Sequence, residues 1–311
     1  MEQAADPETA LEVSRVALGT WAIGGWMWGG ADDAEAIATI RSALEHGVNV
    51  IDTAPVYGFG HAEEIVGQAL AEAGLRDRAL IATKTGVDWR DGKPFRNASR
   101  TRIMREIDDW LRRLRTDHID IYQVHWPDPS TPLEETAEVM HTLFQQGKIR
   151  AIGVSNFSVA QIERFRTEAP LHVVQSPYNL FERRIETDIL PYCRSNKIAT
   201  FGYGALCRGL LSGRMRPDTA FVDDDLRHAD PKFQATFSGR STGFPSTASE
   251  MPPIGSRLSP VAVTMMSAGS VPPEARRTPS STKRSILSVT METRPDLSAL
   301  KRSPSGRAQR R

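Results

Sequence analysis

Short runs of β-branched and apolar residues alternate along this chain with segments of helical period, and that alternation limits the fold more than any other feature. The runs occupy residues 15–19, 48–52, 79–84, 119–125, 149–154, 172–175 and 198–203, each short enough to be a strand. Between them, residues 33–46 set Ala36, Ile37, Ile40 and Leu44 on one face, and residues 102–115 repeat the pattern with Ile103, Ile107, Trp110, Leu111 and Leu114. Further helices are expected over residues 158–168 and 185–194. Strict alternation implies a parallel sheet. The expected class is therefore α/β, and seven strands stand one short of an eight-stranded (β/α)8 barrel.

In such a barrel the carboxyl ends of the strands build the functional face. Here those ends carry Thr20-Trp21, Asp52, Lys84, His125, Ser155-Asn156, Gln175 and Tyr203. Each alone has an ordinary reading: an Asp after a strand caps a turn, a Lys is a solvated tip, a His beside Trp126 packs. Jointly, those readings require independent accidents at the same end of consecutive strands.

Asp52, Tyr57, Lys84 and His125 form a set suited to reducing a carbonyl. Hydride transfer leaves negative charge on the oxygen, so the site must supply a proton. Tyrosine is a poor acid, with an ordinary pKa of about 10. A neighbouring cation, Lys84, stabilises phenolate and is expected to let Tyr57 release its proton more readily. Asp52 is expected to hold the ammonium in place and keep it charged. A neutral His125 can donate an N–H to the substrate oxygen and select the carbonyl face. Trp21, Trp26, Trp28 and Trp89 fall on loops above the same mouth, read either as loop packing or as an aromatic wall of the substrate pocket.

A chain of 311 residues, 40% hydrophobic and 25% charged, holds enough apolar material for a large core. It has no apolar stretch of about 18 residues to span a bilayer, and its acidic start does not read as a signal peptide, so no membrane partner is expected. Cys193 and Cys207 are the only cysteines, too few for a disulfide framework or a zinc site; no metal is expected, and the cytoplasm is the default location. The net charge of +1 hides a break: residues 238–311 hold 12 Lys or Arg against 4 Asp or Glu, while residues 1–237 hold 27 against 34. The later part is dense in Ser, Pro and Arg, has almost no period, and is expected to be largely disordered. Its charge lacks interleaved aromatics or a recognised nucleic-acid fold, so no nucleic-acid partner is expected.

The blocks Gly47-Val48-Asn49-Val50-Ile51-Asp52-Thr53-Ala54-Pro55-Val56-Tyr57-Gly58, Ile81-Ala82-Thr83-Lys84, Asp120-Ile121-Tyr122-Gln123-Val124-His125-Trp126-Pro127 and Ile152-Gly153-Val154-Ser155-Asn156-Phe157 resemble the aldo-keto reductase superfamily, over about residues 13–233. The resemblance implies a (β/α)8 TIM barrel with an N-terminal hairpin and a catalytic tetrad of Asp52, Tyr57, Lys84 and His125. It also implies NADPH as cofactor, with NADH the alternative, bound without a Rossmann domain. By the same resemblance Ser155, Asn156 and Gln175 hold the nicotinamide carboxamide, Tyr203 stacks on the ring, and Gly19, Thr20, Trp21 and Asp52 also border the cofactor. Two amides can match the donors and acceptor of a carboxamide. Gly204, Ala205, Leu206, Arg208, Gly209 and Leu211 lie on a loop resembling the family's phosphate-contacting loop, its glycines permitting close approach and Arg208 adding charge. The implied partner is a small-molecule carbonyl substrate; its identity and the oligomeric state are left open.

The resemblance stops at Phe237. Residues 238–311 lack the pattern of the eighth strand, helix and basic loop with which the family would continue, so the domain reading is an incomplete barrel over residues 1–237 followed by a Ser/Pro/Arg-rich segment. Out-of-frame translation of GC-rich DNA yields such a composition, and a shift of reading frame is the economical account, a natural basic tail the other. Without an eighth strand the first and seventh expose unpaired edges, and the chain as it stands is expected to be poorly active. A second functional reading is a nicotinamide-nucleotide sensor or regulatory subunit with vestigial chemistry; the complete tetrad argues against it.

Overall fold

A computed structural model describes residues 11–216 and 218–233, together with the backbone of the strands Gln3–Ala5 and Val261–Met266. The expected barrel is present. Its strands are β1 (Val16–Gly19), β2 (Val50–Asp52), β3 (Leu80–Thr85), β4 (Ile121–Val124), β5 (Ile152–Ser155), β6 (Val173–Pro177), β7 (Ala199–Tyr203) and β8 (Val261–Met266), each parallel to its neighbours. Helices α1 (Asp33–Glu45), α2 (His61–Glu72), α3 (Arg100–Leu114), α4 (Leu133–Gln145), α5 (Val159–Phe165) and α6 (Ile189–Ser195) follow the first six strands, and a short α7 (Leu226–Ala229) comes after β7. No described helix is long and apolar enough to cross a membrane.

Local chemistry sets the helix ends. The Asp32 side chain accepts from Glu35 N at the start of α1, Ser99 caps α3, and Ser158 and Gln161 form a capping box on α5. The α3 stripe Ile103, Ile107, Trp110 and Leu114 is fully buried, with Trp110 edge-on to Tyr122 of β4 at 4.7 Å.

Two apolar layers result. One lies between the outer face of the sheet and the helices and includes Ile40, Ile51, Ile81, Ile103, Ile107 and Val154. The other fills the barrel interior with Ala17, Val50, Ala82, Ile121, Ala151, Val173 and Phe201, joined by Leu11 and Val13. Leu11 precedes and Val13 belongs to Glu12–Ser14, which pairs antiparallel with Gln3–Ala5 as the expected N-terminal hairpin.

The expected open edges are not found. Val261–Met266 pairs with β7 through Phe201↔Ala262 and with β1 through Thr264↔Ala17, closing the ring. The run contains the β-branched Val261, Val263 and Thr264, a strand signal that its Ser- and Pro-rich flanks obscured. Among the described residues this strand alone represents the eighth β/α unit, so the helical layer is incomplete there. The chain divides into a unit spanning Met1–Val271 and a second spanning Pro272–Arg311. Apart from β8, the expectations for residues 238–311, reading frame and disorder included, fall outside the described residues.

A second hairpin was not expected from the sequence. Val87–Arg90 pairs antiparallel with Lys93–Arg96, and the two residues between them, Asp91 and Gly92, have φ of 51° and 71°. Two successive positive φ values make the type I′ turn that Asp-Gly favours, and that dipeptide was the missed signal.

Candidate active site

Strand period decides which side chains reach the mouth. Two positions beyond the interior residues Val50, Ala82, Val173 and Phe201 stand Asp52, Lys84, Gln175 and Tyr203, on the same inward face but one pleat higher. Lys84 and Asp52 are only 2% and 3% exposed. Lys84 Nζ donates to Asp52 Oδ1 at 2.7 Å, to the Thr53 carbonyl at 3.0 Å and to the Tyr57 hydroxyl at 3.4 Å. Gln175 Nε2 donates to the other oxygen of Asp52 at 2.8 Å.

Tyr57 arrives from the loop after β2. That loop is pressed backbone to backbone against the one after β1: a Cβ on Gly24 would stand 2.6 Å from the Tyr57 carbonyl carbon, and one on Gly58 2.2 Å from the Gly24 oxygen. Only glycine permits this approach. The Tyr57 ring stacks on Trp21 at 6.0 Å and meets His125 edge-on at 6.1 Å. Asn156, at φ 64°, turns its Nδ2 to the His125 carbonyl at 3.0 Å and accepts from the Tyr203 hydroxyl on Oδ1 at 2.8 Å.

These groups open on a cleft of about 400 Å³. Asp52, Tyr57, Lys84 and His125 all line it, as do Gly19, Thr20, Trp21, Ser155, Asn156, Gln175, Tyr203 and Arg208. Gly204, Ala205 and Leu206, on the loop that leads from β7 into the short helix Cys207–Ser212, do not, and neither do Gly209 and Leu211 within that helix.

The sequence profile of the aldo/keto reductase family matches residues 15–252, past the point where the motifs alone end. The chain belongs to the aldo/keto reductase family. It is 58% identical over 234 residues to the aldo-keto reductase YhdN of Bacillus subtilis, covering 75% of this chain and 71% of that one. It is 40% identical over 225 residues to the NADH-specific methylglyoxal reductase of Escherichia coli, covering 68% and 69%. Among solved structures, a glycerol dehydrogenase from Gluconobacter oxydans superposes with a TM-score of 0.69 at 55% identity, covering 75% of this chain and 72% of that one. An aldo/keto reductase from Klebsiella pneumoniae in complex with NADP and acetate gives 0.57 at 32% identity, covering 70% and 71%.

The electrostatics of this aldo/keto reductase add a competing effect to the expected one. Lys84 pulls the Tyr57 hydroxyl toward greater acidity, as expected, but burial outweighs that pull and leaves the hydroxyl above its ordinary value. The phenol is therefore held protonated. Burial works against the Lys84 ammonium too, but Asp52 and Tyr57 together keep its pKa raised. His125 is driven well below the ordinary imidazole value, first by desolvation and then by the Lys84 charge, so it is neutral as expected.

The residues of this aldo/keto reductase fit a nicotinamide nucleotide. The amide-bearing Asn156 and Gln175 and the Tyr203 ring share one side of the mouth, and Gly204, at φ +71°, leaves open space where a Cβ would stand. Two groups already have partners: Gln175 on Asp52, and Arg208 on Asp230 in an ion pair. Trp21 and Trp26 line the cleft as the aromatic-wall reading had it. Trp28 is buried edge-on to Trp21 at 5.5 Å, and Trp89 backs Phe59 at 5.5 Å, so those two are packing residues. Missed from the sequence were Phe95 and Arg96 of the second hairpin and Trp126, over whose ring the Arg96 guanidinium lies at 5.2 Å.

Proposed function

We propose that this chain reduces aldehyde or ketone carbonyls to alcohols with Tyr57 as the proton donor. Family membership makes it an oxidoreductase of the NAD(P)H-dependent carbonyl-reducing kind. NADPH is the cofactor assigned first, as in a Klebsiella pneumoniae relative solved with NADPH; NADH is the alternative, since the Escherichia coli relative is named NADH-specific. Relatives named for methylglyoxal reduction and glycerol dehydrogenation make small polar carbonyl compounds the first substrates to try.

When bound, the reduced nicotinamide supplies the hydride. Asn156, Ser155 and Gln175 hold and orient it, and Tyr203 offers an aromatic face to a flat ring. The substrate oxygen gains negative charge as the carbon is reduced, and the Tyr57 hydroxyl gives it a proton. Lys84 stabilises the phenolate left behind, and Asp52, 2.7 Å from Nζ, keeps the ammonium charged and aimed. Neutral His125 donates an N–H to the same oxygen and fixes its direction. Trp21, Trp26 and Trp126 wall the cleft and exclude water.

The observation that carries this reading is the buried Lys84 ammonium placed between Asp52 and the Tyr57 hydroxyl. Tyr57→Phe should lower kcat on the order of 10³-fold while leaving the Kd for NADPH within about twofold, because it removes the donor and little else. Undiminished reduction of glyceraldehyde by that variant would overturn the mechanism. In a single turnover, retention of bound NADPH in the presence of methylglyoxal and glyceraldehyde would favour a sensor instead.

A further inference from the structure

Strand β3 has two polar faces. Inward, it carries Lys84. Outward, toward the helices, it carries Thr83 and Thr85, on either side of that lysine, and each is bound to a buried carboxylate. Thr83 Oγ1 donates to Glu63 Oε1 of α2 at 2.8 Å, and Thr85 Oγ1 donates to Glu106 Oε2 of α3 at 2.5 Å. Both carboxylates are sealed from solvent, Glu63 at 0% and Glu106 at 1% exposure.

Their remaining oxygens are taken by arginines of α3. Arg113 Nε donates to Glu63 Oε2 at 2.7 Å, and Arg102 Nη2 to Glu106 Oε1 at 2.6 Å. Arg102 continues outward to Asp88 at 3.5 Å and over the Trp89 ring at 5.6 Å. Asp88 and Trp89 belong to Val87–Arg90, the inner strand of the hairpin whose other strand brings Phe95 and Arg96 to the cleft. One chain of contacts thus runs from the strand of Lys84 to the wall of the substrate pocket without touching substrate.

The location is costly for charge. The surrounding layer is mostly apolar, its other polar groups including the buried Tyr122 hydroxyl and Trp110 N–H, and an apolar set of the same volume often holds helices to a sheet as firmly as buried ion pairs do. What directional bonds add is geometry. A hydroxyl on each side of Lys84, each fixed to a different helix, prevents the pleat from rotating or sliding.

We propose that Glu63 and Glu106, acting through Thr83 and Thr85, are positioning residues that hold Lys84 at the height where it reaches both Asp52 and Tyr57, and that Arg102 and Asp88 extend the hold to the cleft hairpin. The proposal rests on the reading of Lys84 as the group that acts on Tyr57.

Thr85→Val and Thr83→Val keep the branched shape and strand preference but delete the hydroxyl bond; Thr85→Ser keeps the bond. Rates are measured on the full chain with NADPH and glyceraldehyde, per NADPH-binding site, so that loss of folded material does not enter. Each Val variant should lower kcat about five- to tenfold with the KM for glyceraldehyde and the Kd for NADPH within about twofold, and Thr85→Ser should restore kcat to within about twofold. Asp88→Asn should show the opposite split, raising KM severalfold with kcat nearly unchanged. Wild-type kcat in both Val variants, or equal loss in Thr85→Val and Thr85→Ser, overturns the proposal. Should one Val variant fail to fold, the other decides. If Tyr57→Phe remains active while the Val variants are impaired, the catalytic reading fails and not the positioning one.

Discussion

Two buried aspartates, one at each end of the barrel, use the same chemistry to opposite ends. At the amino end Asp120, just before β4, accepts from Arg150 at 2.7 Å on one oxygen, and from Arg76 at 3.0 Å and the Ile81 N–H at 2.9 Å on the other. Arg76 spends its other donors on the Ala79 and His118 carbonyls and on Thr116. At the carboxyl end Asp52 accepts from Lys84 and Gln175, and Lys84 passes one further contact to the Tyr57 hydroxyl, which faces the cleft. The lower cluster closes on the backbone; the upper one ends on a group open to ligand. What separates a structural ion pair from a working one is where the last donor goes, not the residue types.

Breaking each pair should therefore move different quantities. Lys84→Met removes the cation beside Tyr57 and should lower kcat on the order of 10³-fold, with glyceraldehyde turnover per NADPH-binding site as the readout. Asp120→Asn should leave that rate within about twofold. It removes the counter-charge of two arginines, so it should cost about 3 kcal/mol of stability, read as a lower urea midpoint. A comparable loss of kcat in both variants would erase the distinction.

The same contrast explains what could be read in advance. The barrel was legible because period-two runs alternate with period-3.6 segments, and the mouth because strands end in polar residues at matching positions: Asp52, Lys84, Gln175 and Tyr203 each lie two residues past an interior apolar side chain. Less legible was anything decided by tertiary pairing. Nothing in the sequence pattern singles out Glu63 or Glu106, and the helix that carries Glu63 was not among those expected; only the packing of α2 and α3 on β3 buries them. The partnering of Arg208 by Asp230 and of Gln175 by Asp52 is equally invisible in a one-dimensional pattern. The cleft hairpin was a different failure, since Asp91-Gly92 carried the information locally. Strand β8 was hidden by its setting, a six-residue run inside a segment of contrary composition.

The outer carboxylates sharpen the comparison through pH. Burial lifts Glu106 to about 7 despite Arg102 and the Thr85 bond, and Glu63 is raised in the same direction. A carboxyl whose folded pKa lies above its unfolded value binds its proton more tightly when folded, so its contribution to stability is full below about 4.5 and is lost as pH rises through about 7. Glu106→Gln removes that dependence. Between pH 5 and 8 the stability of the variant relative to the parent should improve by about 2 kcal/mol, measured by urea unfolding. A constant difference across that range would mean that Glu106 is ionised throughout and that Arg102 outweighs its burial.

His125 should give the smallest effect, with the opposite sign. Desolvation and the Lys84 charge hold it well below the ordinary imidazole value, so the folded state resists a proton that the unfolded chain accepts below about 6.5. Stability attributable to this group is complete above that pH and falls as pH drops, amounting to about 1 kcal/mol by pH 5.5. His125→Gln should abolish that slope without altering the one due to Glu106, since the two residues lie on opposite faces of the sheet. In the parent, the His125 ring resonances should stay unchanged between pH 8 and 6 in a histidine NMR titration. A midpoint near 6.5 would put a charged imidazole beside Lys84, and the lysine would then share its action on Tyr57 with a second cation.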